Sequence, residues 1–172
     1  MSRHLRPAGH EAQRGFTLLE ILIVVALIGV IASIAFPSLM TARAAANEAA
    51  ALGSTRVATS GQSAYAATCG AGFYAIDRVH LANAGFASAD FTLPVKHGFA
   101  LDLVVGDTGV LGELDCNGDD TMTDYYFSAT PISPRHGRRA FATNEAAAIW
   151  IDMAGVAPVE PFVEAGTVLP LR

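Results

Sequence analysis

The chain reads as an α+β protein in which one long amino-terminal helix, an apolar transmembrane half followed by an amphipathic half, packs on a small antiparallel sheet. Three observations predict this. From Phe16 to Phe36 the only formal charge is Glu20, and Ile, Leu, Val and Ala dominate, over about the ~20 residues a helix needs to cross a bilayer core. Ser38 to Thr68 follow without a strong breaker and are rich in alanine, the best helix former. From Gly98 onward the apolar period changes to two, the mark of half-buried strands.

Each element has its local reason. Pro37 stands where a membrane helix would leave the bilayer, so it is expected to kink the helix rather than end it. Ala46, Ala50, Gly53, Val57, Gly61 and Ala64 recur at three- and four-residue steps. They form a stripe of small side chains expected to lie against the protein's own sheet, with Arg43, Asn47, Glu48 and Arg56 on other faces. Cys69-Gly70-Ala71-Gly72 ends the helix, because two close glycines cost too much propensity. Phe73 to Ala89 reads as an irregular connection with a helical turn around Arg78 to Ala84. Gly98 to Val105 is a strand, Gly106 to Gly109 a turn, and Val110 to Leu114 a possible return strand. Tyr125 to Ala129, Ala140 to Thr143 and Ala148 to Asp152 are further strands. The tail, punctuated by Pro158, Pro161 and Pro170, is expected to be extended or mobile. The chain thus divides into a leader (1–15), an apolar helix (16–37), its continuation into a globular body (38–68) and a sheet domain (69–172).

Charge limits the partners. The 172-residue chain carries −5 overall. Arg3, Arg6 and Arg14 against Glu11 give the first 15 residues +2, so the remainder stands at −7. A body that acidic argues against bulk binding of nucleic acid, and none is expected as a partner. Basic residues beside a span stay cytoplasmic, which places the carboxy-terminal body on the other side. Small and basic residues precede the apolar run, the reverse of a secretory signal, so a cut at Gly15–Phe16 would leave the helix in the mature chain. Cys69 and Cys116 would then share an oxidising compartment. One disulfide is the favoured reading, worth about 3–4.5 kcal/mol by chain entropy; two buried thiols are the alternative.

Gly15-Phe16-Thr17-Leu18-Leu19-Glu20, then Ile21 to Ile34 and Pro37, resembles the prepilin signature of type IV pilins and type II secretion pseudopilins. The resemblance covers about the first quarter of the chain. It implies a pilin-like fold, cleavage after Gly15 by a prepilin peptidase, and methylation of the new amino terminus at Phe16. It also implies a single-pass stay in the bacterial inner membrane among lipid, an assembly platform there, and a homo- or hetero-polymer with other pilin-like subunits in a pilus, periplasmic or extracellular filament. A carboxylate inside an apolar span needs a partner or a function; by the resemblance, Glu20 meets the Phe16 amine of a neighbouring subunit. Snorkelling to the interface is the plainer alternative, since Glu20 lies only about 6 Å along the axis from Phe16.

Other residues give weaker signals. Asp115, Asn117 and Asp119 have the alternate spacing of calcium-loop ligands, but Asp120 and Tyr126 stand where glycine and glutamate belong. They are calcium candidates beside the plainer reading of a polar turn, and no cofactor is otherwise expected. Arg135-His136-Gly137-Arg138-Arg139 is a basic island, read as a solvated loop or a contact to an acidic neighbour. His80, His97 and His136 are scattered and read as surface histidines; no metal spacing or nucleophile elbow accompanies them, so an enzyme is not indicated. The leading functional expectation is a subunit of a type IV pilus-like filament. Alternatives are a type II secretion pseudopilin and, in another class, a membrane-tethered DNA-uptake or surface-binding module using Arg135 to Arg139.

Overall fold

The computed structural model describes residues 15–171; the expected leader, apart from Gly15, lies outside the described residues. The chain divides into two compact units at Leu39–Met40. One helix, α1 (Leu18–Thr68), begins in the first unit and supplies the opening of the second. It continues through Pro37, so the proline does not end it.

In the second unit α1 is followed by β1 (Tyr74–Ala75), the short helix α2 (Arg78–Asn83), a 3-10 turn (Ala89–Thr92) and β2 (Val95–Lys96). Then come β3 (Phe99–Val105), β4 (Thr121–Met122), β5 (Tyr125–Pro131), β6 (Ala140–Asn144), β7 (Ile149–Asp152) and β8 (Val168–Pro170). Six strands form one antiparallel sheet in the order β2-β3-β5-β6-β7-β8, and β1 pairs with β4 in a separate ribbon. Asp77 caps α2, its carboxylate accepting from the His80 N–H at 2.7 Å.

The sheet register sets Leu101 opposite Ala129, Ala129 opposite Phe141 and Phe141 opposite Ile151, so one face is continuously apolar. Phe99, Leu101, Leu103, Phe127 and Phe141 on it are buried, and Phe91 of the 3-10 turn stacks on Phe127 at 5.7 Å. From α1 the core takes Ala51, Ala58 and Tyr65.

Three expectations need correction. The small-residue stripe of α1 is not the buried face: Ala46, Val57 and Ala64 are exposed, Ala50 and Gly53 half-buried, and only Gly61 is buried. The buried positions are Glu48, Ala51, Ser54, Thr55, Ala58, Gly61, Gln62 and Tyr65, a polar face chosen by side chains that find partners. Gln62 accepts from the Ala75 N–H at 2.9 Å and donates to the Ala75 carbonyl at 2.8 Å, pinning β1 to the helix. Thr59 donates to the Thr143 hydroxyl on β6 at 3.3 Å. Second, Val110 to Leu114 is not a strand. Only Leu111 makes an isolated bridge, to Met122, and Val110, Leu111 and Leu114 are exposed; Gly109 and Gly112 interrupt the run. Third, the tail is docked. Phe162 stacks on Trp150 at 5.5 Å, Tyr126 donates to the Pro158 carbonyl at 2.7 Å, and Val168–Pro170 returns as an edge strand on β7. Its aromatic and hydroxyl partners sit on other elements, beyond the reach of a local reading of proline.

The Cys69–Cys116 disulfide forms, closing a loop of sequence separation 47 between the end of α1 and the segment before β4. A loop of that length contributes about 4 kcal/mol on the chain-entropy model.

Glu48, expected on another face, is buried and grips the β5–β6 loop. It accepts from the Arg138 N–H at 2.7 Å and from the Arg139 guanidinium Nε at 2.7 Å. Gly137 makes the approach possible: a Cβ there would lie 2.5 Å from the Phe99 ring and 3.0 Å from Glu48. Burial raises the Glu48 pKa, but the Arg138 N–H and the Arg139 side chain outweigh it and hold it below the ordinary 4.5. The contact therefore gives stability that is complete above pH 4.5 and lost as pH falls through the lower folded value. Glu48→Gln is expected to cost about 2 kcal/mol at neutral pH. In urea melts it should flatten the loss of stability that sets in as pH falls below 4.5. Gln62→Leu, which strands both Ala75 backbone groups, is expected to cost about 2–4 kcal/mol with little pH dependence in the same melts.

Candidate functional site

The first unit is built around its amino-terminal turn. Thr17 precedes the helix and its hydroxyl accepts from the Glu20 N–H at 3.2 Å, capping one of the first free amides. Thr17-Leu18-Leu19-Glu20 is the Thr-x-x-Glu pattern of a capping box, a signal present in the sequence that points to Thr17 as well as Glu20. Glu20 sits in the first turn, where the helix dipole favours negative charge.

From Gly15 to Leu39 every residue is exposed, including Phe16 at 79% and Leu18 at 83%. The run is long and apolar enough to cross a membrane by length and composition. Its hydroxyls are satisfied within the helix: Ser33 donates to the Val30 carbonyl at 2.7 Å and Ser38 to the Ala35 carbonyl at 2.9 Å. Such a helix presents nothing that needs water beyond its first turn.

The calcium candidates of the sequence lie beside the disulfide. Asp115 is buried, and one of its oxygens accepts from the N–H groups of Asn117 and Asp119 at 2.8 and 2.9 Å. The other accepts from the Tyr65 hydroxyl at 2.8 Å and lies 3.2 Å from His80 Nε2. Burial pushes the Asp115 carboxyl up, but these donors outweigh it and hold it well below the usual carboxylate range. Asp115 is thus committed to donors of its own chain, as the anchor of a turn against α1. His80, expected at the surface, is largely buried in this network, edge-on to Tyr65 at 5.4 Å.

The basic island divides. Arg139 is held by Glu48, and His136 shares a hydrogen bond with Ser133 at 2.8 Å, while Arg135 and Arg138 are exposed. Two free-facing guanidinium groups make a small cationic patch on an acidic body.

A different acidic group escaped the sequence reading. Asp124, Glu145 and Glu160 each bring a carboxylate oxygen to within 4.8 Å of the others. They are too far apart along the chain for any spacing rule to join them.

The uncovered apolar helix, with its capped first turn and one acid, carries the recognisable feature of this chain. A family model described as the prokaryotic N-terminal methylation motif matches residues 12–36. Comparison with curated proteins and with solved structures gives no match. The chain therefore carries the amino-terminal signature of type IV pilins and pseudopilins, and its body is an α+β fold consistent with a pilin-like protein.

Proposed function

We propose that this chain is a structural subunit of a type IV pilus-like filament. It is held as a single-pass protein in the bacterial inner membrane, and a prepilin peptidase cuts it after Gly15 and methylates the amine of Phe16. The observation that carries this reading is the apolar helix to Leu39, exposed along its whole length and broken in charge only by Glu20. Left in water, side chains of that kind cost about 1.5–3 kcal/mol each when large. They need lipid or one another.

The mechanism follows from that need. In the bilayer the helix is surrounded by hydrocarbon; in a filament core it is surrounded by equivalent helices, so transfer between the two exposes no new apolar surface to water. Affinity alone would then leave the axial position of each subunit unfixed. Glu20 supplies the fix by pairing with the Phe16 amine of a neighbour, an amine that exists only after cleavage. An assembly platform and other pilin-like subunits are the partners, and the acidic body faces away from the cytoplasm.

Mass spectrometry of the amino terminus, on protein isolated from its own cells, tests processing. The expected result is a chain beginning at methylated Phe16; a stable pool beginning at Met1 would mean an ordinary membrane-anchored domain. Substituting Glu20→Ala tests assembly. A buried ion pair broken on one side costs about 3–5 kcal/mol, so filaments in sheared-cell fractions should fall to a small fraction of wild type while the thermal midpoint of the body stays unchanged. Abundant filaments from that variant would sink the pairing mechanism.

A further inference from the structure

We propose that a groove between the opening turns of the body's helix and the β5–β6 loop binds the phosphate of an anionic phospholipid headgroup, in the leaflet on the body's side of the membrane. The groove is lined by Met40, Ala44 and Ala45 of α1 and by Pro134, Arg135 and Arg138 of the loop, with Glu48 behind them. Its volume is about 400 Å³, in the lower range of small-ligand clefts and room for a headgroup rather than a bare ion.

The charge here is opposite to that of the rest of the chain. Residues 40–48 and 132–139 hold Arg43, Arg135, Arg138 and Arg139 against Glu48, a balance of +3, whereas residues 16–172 as a whole stand at −7. Glu48 does not cancel the patch. It is buried and taken up by the Arg138 and Arg139 N–H groups and by Arg139 Nε. Arg43, Arg135 and Arg138 are exposed, and among the described residues no acid makes an ion pair with any of them. The loop that carries two of them is braced: the His136 N–H donates to the Ser133 carbonyl at 3.0 Å, and the His136 ring shares a hydrogen bond with the Ser133 hydroxyl at 2.8 Å. Guanidinium groups on a braced loop suit a phosphate, whose oxygens accept their paired N–H donors.

Position along the chain identifies the anion. Met40 follows directly on the exposed apolar run that ends at Leu39, and it stands four residues past Phe36, about 6 Å along a helix. Hydrocarbon fills about 30 Å of a bilayer that measures about 40–45 Å with its headgroups, so a span ending near Phe36 brings Met40 to the level of the lipid phosphates. Ile132 and Pro134, both exposed, flank the arginines. Apolar and cationic side chains together are what settles a segment in the interface, where arginine stems lie on apolar surface and the heads reach phosphate. Cations beside a span are otherwise held on the cytoplasmic side, so a cluster on the opposite side calls for an anion close by. The lipid contact depends on the membrane-inserted state proposed above but not on assembly into filaments.

The test uses the full chain in mild detergent, with phosphatidylglycerol, phosphatidylcholine and inorganic phosphate as probes and native mass spectrometry as the readout. Phosphatidylglycerol is expected to bind more tightly than phosphatidylcholine. Arg135→Gln combined with Arg138→Gln should weaken phosphatidylglycerol binding roughly fivefold for each arginine removed. Both positions are exposed, so the thermal midpoint should hold. Arg135→Lys with Arg138→Lys, which keeps both charges, should retain most of the affinity. Arg56→Gln, at an exposed arginine of α1 outside the groove, should change nothing. Arg3, Arg6 and Arg14, where retained, attract the same lipid equally in every variant, so the difference between variants reads the groove. Equal affinity for the two lipids in the wild type overturns the proposal, as does phosphatidylglycerol binding that survives the glutamine pair or falls as far in Arg56→Gln. Displacement of the lipid by an equal concentration of inorganic phosphate overturns it in favour of a free anion. A wild-type dimer lost in the glutamine pair, without any lipid preference, overturns it in favour of a second copy. Cleavage and filament yield enter none of these readouts, so the lipid contact and the filament reading fail separately.

Discussion

One helix has to satisfy two solvents, and the rest of the chain is arranged around that constraint. Up to Leu39 its side chains are exposed and its hydroxyls turn back onto its own carbonyls. From Glu48 onward four polar side chains reach into the body, and each holds a different part of it. Glu48 takes the β5–β6 loop, Thr59 takes β6, Gln62 takes β1, and Tyr65 takes the turn at Asp115. An alanine face packed on a sheet can slide by a turn at small cost. Four directional contacts spread along the helix cannot all be remade after a slide, so they fix its register as well as adding stability.

This polar grip explains what the sequence disclosed and what it withheld. The apolar run, the breaker-free alanine segment and the period-two strands were legible because each is a local pattern with a single physical cause. The buried face of α1 was not, because Ala and Gly recur all round that segment and small size does not choose a face. Glu48, Gln62 and Tyr65 choose it, through partners on the β5–β6 loop, β1 and the Asp115 turn. The tail fails for the same reason. Its prolines report local stiffness, while its position depends on Trp150 and Tyr126. Thr17 was legible in principle, since Thr-x-x-Glu is a start signal, but the acid's place in an apolar run drew the weight.

The two acidic clusters differ in how their carboxylates are brought together and accommodated. Asp115, with Asn117 and Asp119, has ligand-like spacing, yet four polar groups of the chain already surround its oxygens. Asp124, Glu145 and Glu160 have no spacing to notice, yet they converge with a buried oxygen left without a donor. Sequence proximity brings acids together around backbone amides, which neutralise them locally in Asx-type turns. Acids brought together by the fold find donors singly and from distant segments, as Glu160 does from the Asp107 N–H and the Asn144 amide.

The capping geometry also bears on how a pairing of Glu20 would work. Cleavage after Gly15, as proposed, would put an ammonium on Phe16, next to the capping Thr17 and at the positive end of α1. That end would then carry a full charge on top of the helix dipole, and Glu20 of the same helix is the nearest negative group to offset it. The acid would have a partner in the membrane as well as in the filament. Assembly would exchange an intramolecular pairing for an intermolecular one, with little net change in charge burial. That is the electrostatic counterpart of moving an apolar helix between two apolar surroundings. Such an exchange would leave the direction of assembly to be driven from outside the helix, and the acid would decide only where the subunit stops.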